Sequence, residues 1–250
     1  MNIIQISDCH LFSDTQKIGY NDINPYESLQ HVLAKVRSHR PDVLLVTGDV
    51  SGDGSGQSYR HFSKLLEQAQ IDCRIGIIPG NHDNQAQLTA HVVDDHLWLN
   101  NPQLALPNKW HIHLLDTQYQ HAIGQISATS LTSLTEYLTL HCNDYHILAV
   151  HHHPIPCDGW MDKHEWTNRQ EFNAVVAATP FVKGVVYGHI HTAIEQQKGQ
   201  CLYMACPSTC WQFATESSFA TSDLMPGYRV INLLDNGQII TSIHRLKHKD

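Results

Sequence analysis

Charged side chains are scarce in this 250-residue sequence, and positively charged ones are the scarcer kind. Only 16% of the residues are charged, and 24 acidic residues against 16 basic ones give a formal net charge of −8. A chain without excess positive charge has no general electrostatic attraction for nucleic acids or for anionic membranes. We therefore expect neither as a partner, and any bound phosphate must be attracted by a local feature.

Long apolar runs and a regular cysteine pattern are also missing. No apolar run approaches the ~18 residues of a membrane span, and a polar cluster beginning at Asp8 leaves no space for a signal peptide. The 7 cysteines lack regular pairing, which argues against a disulfide framework and favours a reducing compartment. We interpret Cys201, Cys206 and Cys210 as ordinary thiols, and we expect a cytoplasmic monomer or homodimer.

What the sequence does contain is an alternation of strand and helix patterns. Hydrophobic residues make up 42% of the chain, and we predict one α/β domain over residues 1–250. Strand–helix–strand units imply parallel pairing, and late strands without helices between them suggest a second, more antiparallel sheet. The predicted helices begin after the cap Asn24 and lie near 59–66, 131–138 and 172–177. The predicted strands are 2–6, 42–47, 75–78, 146–150, 182–187, 201–205, 228–234 and 239–245, with an Asn236-Gly237 hairpin between the last two.

Five clusters of Asp, Asn and His follow the predicted strands. In an open α/β sheet, ligands gather at the carboxyl ends of the strands, so clusters far apart in sequence can converge there. Each cluster alone arises by chance, but five in this order predict a common site. They are Asp8-Cys9-His10, Gly48-Asp49, Gly80-Asn81-His82-Asp83, His151-His152-His153 and Gly188-His189-Ile190-His191.

The composition of these clusters predicts a centre for two divalent metal ions. Imidazole suits transition metals and carboxylate tolerates harder ions, so Fe, Mn, Zn and Co all remain possible. Two such ions with two Asp and a bridging hydroxide carry a net charge of roughly +1, which attracts a phosphodiester, and they lower the pKa of the bridging water to ~7. The predicted ligands are Asp8, His10, Asp49, Asn81, His151, His189 and His191.

A leaving alkoxide needs a proton, and His82 is the natural donor because it adjoins a ligand without being needed as one. General acid catalysis of this kind contributes roughly 10²–10⁴-fold. Asp83 could orient the His82 ring and favour its cation. We therefore predict His82 and Asp83 as catalytic residues.

The ordered motifs Asp-x-His, Gly-Asp, Gly-Asn-His-Asp, His and Gly-His-x-His resemble the calcineurin-like metallophosphoesterase superfamily. The resemblance spans Asp8 to His191 and implies a β-sandwich of two mixed sheets flanked by helices, with the active site at the carboxyl ends of the strands. It implies that Asp49 is shared by both metals, and that His82 is the catalytic histidine. One metal would take Asp8, His10, Asp49 and His191; the other would take Asp49, Asn81, His151 and His189.

A closer likeness is to the bacterial class III cyclic-AMP phosphodiesterases. It rests on the compact length and on the segments at 151–156, 207–210 and 226–229. The resemblance implies hydrolysis of 3′,5′-cyclic AMP to 5′-AMP, and it favours His151 as the ligand among the three consecutive histidines. His152 would then point away. The substrate-binding residues expected beside the metals are Asn81, His82, His153 and His191.

Other functions remain open from the sequence. The enzyme could act on another diester, such as a 2′,3′-cyclic nucleotide or a glycerophosphodiester, or the chain could be a non-catalytic scaffold with this fold. Nothing in the spacing identifies a base. Trp160, Trp211 and Phe213 could stack on one, although packing in a core or lid is the better interpretation. The histidines interpreted as solvated are His31, His39, His61, His111, His113, His244 and His248.

Overall fold

The computed structural model describes residues 1–92, 97–98 and 103–247, with the backbone alone at 97–98. Most strands of this part belong to two six-stranded sheets. In the first sheet the order is Ile239–Arg245 (β16), Gly227–Leu233 (β15), Asn2–Ile6 (β1), Val43–Val46 (β2), Arg74–Ile77 (β3) and Leu97–Trp98 (β4). In the second the order is Glu195–Lys198 (β11), Cys201–Ala205 (β12), Val182–Tyr187 (β10), Tyr145–Ala149 (β9), Trp110–Leu114 (β6) and Gln103–Ala105 (β5).

Both sheets are mixed. Strands β1 to β4 pair in parallel, and β15 and β16 extend that sheet with antiparallel pairs. In the second sheet β6, β9, β10 and β12 are parallel, while the outer strands β5 and β11 are antiparallel. Two short hairpins complete the strands, namely Gln118–Gln120 (β7) with Ile123–Gly124 (β8), and Gln212–Phe213 (β13) with Thr221–Ser222 (β14).

Alternation along the strands creates three apolar layers. Ile3 and Leu45 face one core together with Ile147 of the other sheet, so this core lies between the sheets. Their neighbours Ile4 and Leu44 belong to a second core, which also contains residues of the helices Pro25–Ser38 (α1), Gly56–Ala69 (α2) and Gln85–His91 (α3). A third core joins the second sheet to the helices Ala128–Leu140 (α4) and Arg169–Ala178 (α5). The result is a helix–sheet–sheet–helix sandwich, as predicted.

The predicted helices and strands are confirmed, with ends shifted by a few residues. Asn24 caps α1, because its side-chain oxygen accepts hydrogen bonds from the backbone N–H groups of Tyr26 and Glu27. The Asn236-Gly237 turn joins β15 to β16, and Gly237 takes a φ of 82° that favours glycine. No helix in the described ranges is both long and apolar enough to cross a membrane.

Two sequence expectations are wrong. The late strands do not build the second sheet, because β15 pairs with β1 of the first sheet, β16 pairs with β15, and only β12 of the predicted late strands joins the second sheet. His111 and His113 are not solvated, because they lie in β6 beneath α4 and are 6% and 0% exposed. His31 is exposed, and His39, His61 and His244 are half-buried. His248 lies outside the described residues.

Candidate metal centre

The seven predicted ligands follow five strands at one edge of the sandwich. Asp8 and His10 come after β1, Asp49 after β2 and Asn81 after β3 of the first sheet. His151 follows β9, and His189 and His191 follow β10, of the second sheet. Parallel strands end on the same side of a sheet, so these polar residues meet although 183 positions separate the first from the last.

The side chains form two neighbouring groups of ligand atoms. Asp8, His10 and His191 make one group, and Asp49, His151 and His189 make the other, each with ligand atoms within 4.8 Å of one another. The His10 and His191 Nε2 atoms are 3.0 Å apart. Asp49 Oδ2 lies between the groups, 3.6 Å from His10 Nε2 and 3.5 Å from His151 Nε2. Asn81 Oδ1 lies 3.2 Å from His151 Nε2 and completes the second group.

Several ligands stand on left-handed backbone, which directs their side chains in a way that a regular strand would not. The φ angles of Asp8, His10 and Asp49 are 54°, 46° and 52°, and those of His189 and His191 are 70° and 48°. Asp and His tolerate this region better than most residues, and such conformations concentrate at functional sites. The joint orientation of Asp8 and His10 therefore comes from this left-handed backbone and not from the alternation of a regular strand.

Two glycines leave space for the ligands. Gly48 has a φ of +96°, and a Cβ atom there would lie 2.5 Å from His151 Nδ1. A Cβ atom on Gly80 would lie 2.2 Å from Asp49 Oδ1. A side chain at either position would displace a ligand, which explains the Gly before Asp49 and before Asn81 in physical terms.

Backbone carbonyls orient two of the imidazole rings. His151 Nδ1 is 2.7 Å from the carbonyl oxygen of Thr47, and His191 Nδ1 is 2.9 Å from that of Trp211. A carbonyl oxygen only accepts, so each Nδ1 carries a proton and each Nε2 is directed into the centre as the ligand atom. Sequence reasoning did not identify Thr47 and Trp211 in this role, because a carbonyl contact leaves no signature in the side chain.

Electrostatics at the centre favour cations. Burial lowers the pKa of His191 to about 4 and the pKa values of His10 and His189 well below the usual range, so these rings are neutral near pH 7 and offer lone pairs. Burial opposes ionisation of Asp49, yet the facing His151 holds the pKa of that carboxyl well below its usual range. Burial also disfavours a charged His151, but Asp49 raises its pKa to about 9.

The donor set fits two divalent ions. His189 Nε2 is fully buried and finds no hydrogen-bond partner among the described residues, although a buried polar atom without a partner is costly. Burial raises the pKa of Asp8 to about 7, so a cation would compete with protons for Asp8 and for His151. Five imidazoles, two carboxylates and one amide oxygen, counting His82 beside them, match the ligand preferences of Fe, Mn, Zn or Co.

His82 differs from the ligands because its side chain is exposed. Its backbone N–H donates to Asp49 Oδ1 at 2.8 Å, and its ring lies 4.9 Å from the His10 ring, edge to face. His82, His10 and Asp49 form a further group, whose ligand atoms also lie within 4.8 Å of one another. The ring is thus held at the open side of the centre, where a substrate would approach.

Asp83 does not have the predicted orienting contact with the His82 ring. Its buried carboxylate accepts hydrogen bonds from the backbone N–H groups of Val50, Ser51 and Gly80 and from the Tyr59 hydroxyl. A carboxylate with four donors is already saturated, and adjacent side chains in a tight turn diverge. Asp83 therefore ties the loop after β2 to the loop after β3, and this corrects the catalytic role expected for it.

The histidines after His151 lie behind the centre. His153 is fully buried, its ring stacks on His189 at 5.6 Å, and its Nε2 lies 3.3 Å from Asp162 Oδ1. A ring without exposed surface cannot contact substrate, so the substrate-binding role predicted for His153 is wrong. His152 is turned toward Thr117, whose hydroxyl is 2.8 Å from His152 Nδ1. Both rings support His189 by packing.

The loop that follows β12 holds the backbone of Asp8 in place. The Ser208 hydroxyl donates to the Asp8 carbonyl at 2.8 Å, and Cys210 Sγ approaches the same oxygen at 3.2 Å. Cys201, Cys206 and Cys210 are buried free thiols, and burial raises the pKa values of all three. These properties agree with the interpretation of the three cysteines as ordinary thiols. None of the possible metal-binding groups among the described residues includes them.

The chain is similar to known proteins over most of its length. The model of the calcineurin-like phosphoesterase family matches residues 1–193. The 3′,5′-cyclic adenosine monophosphate phosphodiesterase CpdA of Escherichia coli K12 is 32% identical over 98% of this chain and 90% of its own length. A 3′,5′-cyclic-nucleotide phosphodiesterase of Nostoc is 34% identical over 99% of this chain and 93% of its own length.

Solved structures with low sequence identity share the fold. A dimetal phosphatase from Danio rerio superposes with a TM-score of 0.66 at 13% identity, covering 92% of this chain and 94% of that one. GAP50, described as the anchor in the inner membrane complex of Plasmodium, superposes with a TM-score of 0.69 at 11% identity, covering 100% of this chain and 89% of that one. At such identities the likeness concerns the architecture alone.

Proposed function

The chain belongs to the calcineurin-like phosphoesterase family, and on that premise we propose that it is a metal-dependent phosphodiesterase hydrolysing 3′,5′-cyclic AMP to 5′-AMP. The observation that carries the proposal is the convergence of Asp8, Asp49, Asn81 and the four predicted histidine ligands beside an exposed His82. The substrate is proposed from similarity over nearly the whole length to relatives that bear this activity in their names.

Each residue of the centre has a proposed part in holding the metals. Asp8, His10 and His191 would hold one divalent ion, Asn81, His151 and His189 the other, and Asp49 both. Such a pair of ions, when bound, lowers the pKa of water to ~7 and neutralises charge on a phosphoryl group. The neutral Asn81 amide limits the negative charge of the site, so that an anionic diester is not repelled.

The remaining chemistry belongs to the chain itself. Cleavage of the 3′-ester leaves a ribose alkoxide, a poor leaving group that must gain a proton. We assign this proton to the His82 ring, which is exposed and 4.9 Å from the His10 ring. The hydrogen bond from the His82 backbone N–H to Asp49 holds the ring beside the centre. Asp83 keeps the supporting loops together through its backbone contacts.

The decisive experiment is hydrolysis by metal-stripped protein reloaded with Mn. The substrates are 3′,5′-cyclic AMP, 2′,3′-cyclic AMP and bis-nitrophenyl phosphate, and Asp49→Asn is compared with Asp72→Asn, an exposed acid outside the centre. We expect metal-dependent preference for the 3′,5′ substrate, lost in Asp49→Asn and kept in Asp72→Asn.

Other outcomes would contradict the proposal at different levels. Turnover of the nitrophenyl diester with little turnover of 3′,5′-cyclic AMP would retain the dinuclear chemistry and reject the substrate. Preference for 2′,3′-cyclic AMP would point to that alternative diester. No metal binding and no activity with any of the three would indicate a scaffold that has the fold without the reaction.

A further inference from the structure

An aromatic cluster adjoins the metal centre and extends to the surface. We define the aromatic rim as Tyr20, Trp160, Trp211, Phe213 and Phe219. We propose that the exposed rings of Tyr20 and Phe219 bind the nucleobase of the substrate by stacking. This inference rests on the proposed function, since it names the part of the same site that would distinguish a nucleotide from a simple phosphodiester.

The inner members of the rim touch metal ligands. The Trp211 ring stacks on the His10 ring at 5.3 Å with an interplanar angle of 21°, and the Phe213 ring stacks on His191 at 4.3 Å and 18°. Trp211 is only 6% exposed and Phe213 is half-buried. The packing interpretation of Trp211 thus agrees with the structure, and a base would have to stack farther out.

The outer members present free faces. Tyr20 and Phe219 are 50% and 52% exposed, and their ring centres are 5.4 Å apart. The Tyr20 ring contacts the Trp211 ring edge to face, with the ring centres 5.3 Å apart, and Trp211 in turn covers the His10 ring. Large aromatic side chains are usually buried, and exposed ones next to a ligand site mark an interaction surface.

The two outer rings are held in place although they come from distant parts of the chain. Asn21 Nδ2 donates to the carbonyl of Ser222 at 2.8 Å, and the Thr221 hydroxyl donates to Asn21 Oδ1 at 2.8 Å. These bonds join the loop that carries Tyr20 to the hairpin β13–β14 beside Phe219. The stacking surface is therefore ordered before a ligand arrives, which reduces the entropic cost of binding.

A nucleobase is the occupant that fits the position of this surface. In a nucleotide, one ribose ring separates the base from the phosphate. In the protein, one aromatic ring, that of Trp211, separates the exposed Tyr20 ring from the metal ligand His10, so a phosphate at the metals would place the base near Tyr20. The indole N–H groups of Trp160 and Trp211 are buried without a hydrogen-bond partner among the described residues. They add polar groups beside the rim that a bound nucleotide could satisfy.

Stacking also predicts the selectivity of the site. Every base has a π-face, so an aromatic platform binds all bases, and the affinity follows the stacking area rather than a hydrogen-bond code. A purine offers a larger ring system than a pyrimidine. The rim should therefore favour cyclic purine nucleotides over cyclic pyrimidine nucleotides without an absolute choice of adenine.

The test compares Tyr20→Ala, Phe219→Ala and the double variant with the unaltered protein, all loaded with Mn. For the double variant we expect the KM for 3′,5′-cyclic AMP to rise about 10- to 100-fold, the range expected for lost base stacking, with kcat within about threefold. The KM ratio between cyclic CMP and cyclic AMP should fall toward one. Tyr20→Phe and Phe219→Tyr keep the rings and should keep the KM.

A matched control is Phe181→Ala. Phe181 is a half-buried aromatic residue just before β10, at the strand end opposite His189, and its removal should leave both KM values unchanged. Thermal unfolding separates loss of stacking from misfolding. Should Tyr20→Ala not fold, Tyr20→Leu keeps an apolar side chain without a π-face and serves in its place.

A binding measurement keeps this inference separate from the proposed activity. Tryptophan fluorescence, reported by Trp211 beside Tyr20, is titrated with 5′-AMP and with ribose 5-phosphate. We expect tighter binding of 5′-AMP, with the advantage lost in the double variant even if the protein were not to hydrolyse cyclic AMP. Equal affinity for the two ligands, or an advantage that survives in the double variant, would overturn the nucleobase site.

Discussion

The residues of the centre combine unusual backbone with unusual burial. Asp8, His10, Asp49, His189 and His191 adopt positive φ angles, which cost of order 1–3 kcal/mol each and persist only where the surrounding structure imposes them. All five are at most 5% exposed. The fold therefore maintains conformations that are unfavourable for stability, and these conformations direct the predicted ligands at one point.

His82→Ala tests the general acid. We expect hydrolysis of 3′,5′-cyclic AMP to slow by roughly 10²–10⁴-fold and hydrolysis of bis-nitrophenyl phosphate to slow far less, because nitrophenolate leaves without a proton. Metal content should be unchanged. The measurements are kcat for both substrates and metal analysis, with the exposed His31→Ala as control. An equal slowing of both substrates, or the loss of one metal equivalent, would assign His82 to another role.

Asn81→Ala tests the second ligand group. Removal of the amide oxygen, which lies 3.2 Å from His151 Nε2, should weaken one metal at least ~10-fold and reduce turnover severely. Metal titration should detect one strong and one weakened site, and excess Mn should restore part of the rate. Asn236→Ala, in the exposed turn after β15, is the matched control. Two unchanged metal affinities would remove Asn81 from the ligand set.

At the scale of elements, β6, β9 and α4 enclose a polar cluster that contains none of the predicted metal ligands. His113 Nε2 lies 3.1 Å from His146 Nδ1, and both rings are fully buried. His111 contacts Asp144 at 3.1 Å and the Tyr137 hydroxyl at 3.0 Å. His141 also contacts Asp144, at 3.3 Å. Buried histidines in a strand alternate with Trp110, Ile112 and Leu114 of the inner core, so the histidines face the helix layer.

This cluster predicts acid sensitivity of the fold. Burial, aided by neighbouring histidines, lowers the pKa of His113 to about 3, and burial lowers that of His146 to about 4. In the unfolded chain histidine titrates near pH ~6.5. As the pH falls below that value, the unfolded state binds more protons than the folded state, and unfolding is favoured. The stability contributed by these neutral histidines is fully present above pH ~6.5 and is lost progressively as the pH falls toward their folded-state pKa values.

His113→Gln should reduce the acid sensitivity. We expect the loss of unfolding free energy between pH 7 and pH 5 to be smaller by about 1–2 kcal/mol than in the unaltered protein. Urea unfolding at the two pH values measures this difference, and His31→Gln, at an exposed position on α1, should leave it unchanged. An identical pH dependence in His113→Gln would show that the buried ring is not the source.

At the scale of the whole molecule, the candidate metal centre requires the two sheets to keep a fixed position relative to each other, because it takes residues from both. Arg229 of β15 in the first sheet is fully buried and donates to the Ala205 carbonyl of the second sheet at 2.7 Å. The same guanidinium contacts Glu195 Oε1 at 2.6 Å and the Ile194 carbonyl at 3.3 Å. Gln5 makes a similar link, because its amide donates to the Tyr187 carbonyl at 3.1 Å.

Arg229→Ala should destabilise the whole sandwich. Loss of the buried guanidinium removes its hydrogen bonds to the Ala205 and Ile194 carbonyls, and we expect the free energy of unfolding to fall by about 2–5 kcal/mol. Glu195→Gln is the comparison, because the Glu195 side chain is 45% exposed and its loss should cost under about 1 kcal/mol. Denaturant unfolding measures both, and equal losses would contradict the view that Arg229 acts mainly through the backbone carbonyls.

Local patterns were enough to predict most of the elements and most of the centre. The cap Asn24, the strand runs and the motifs from Asp8 to His191 depend on neighbours within a few residues. Hydrophobic periodicity and turn chemistry act at that range. Family resemblance added the fold, and the seven ligands and His82 meet at one edge because parallel strands end there.

Only the tertiary structure decided the surroundings of each side chain. Asp83 is saturated by backbone donors from another loop, His153 is covered by packing behind His189, and His113 is buried beneath α4. The exposed pair Tyr20 and Phe219 comes from positions 199 residues apart. Burial and hydrogen-bond saturation depend on contacts between distant segments, and a residue's own sequence neighbourhood does not encode them.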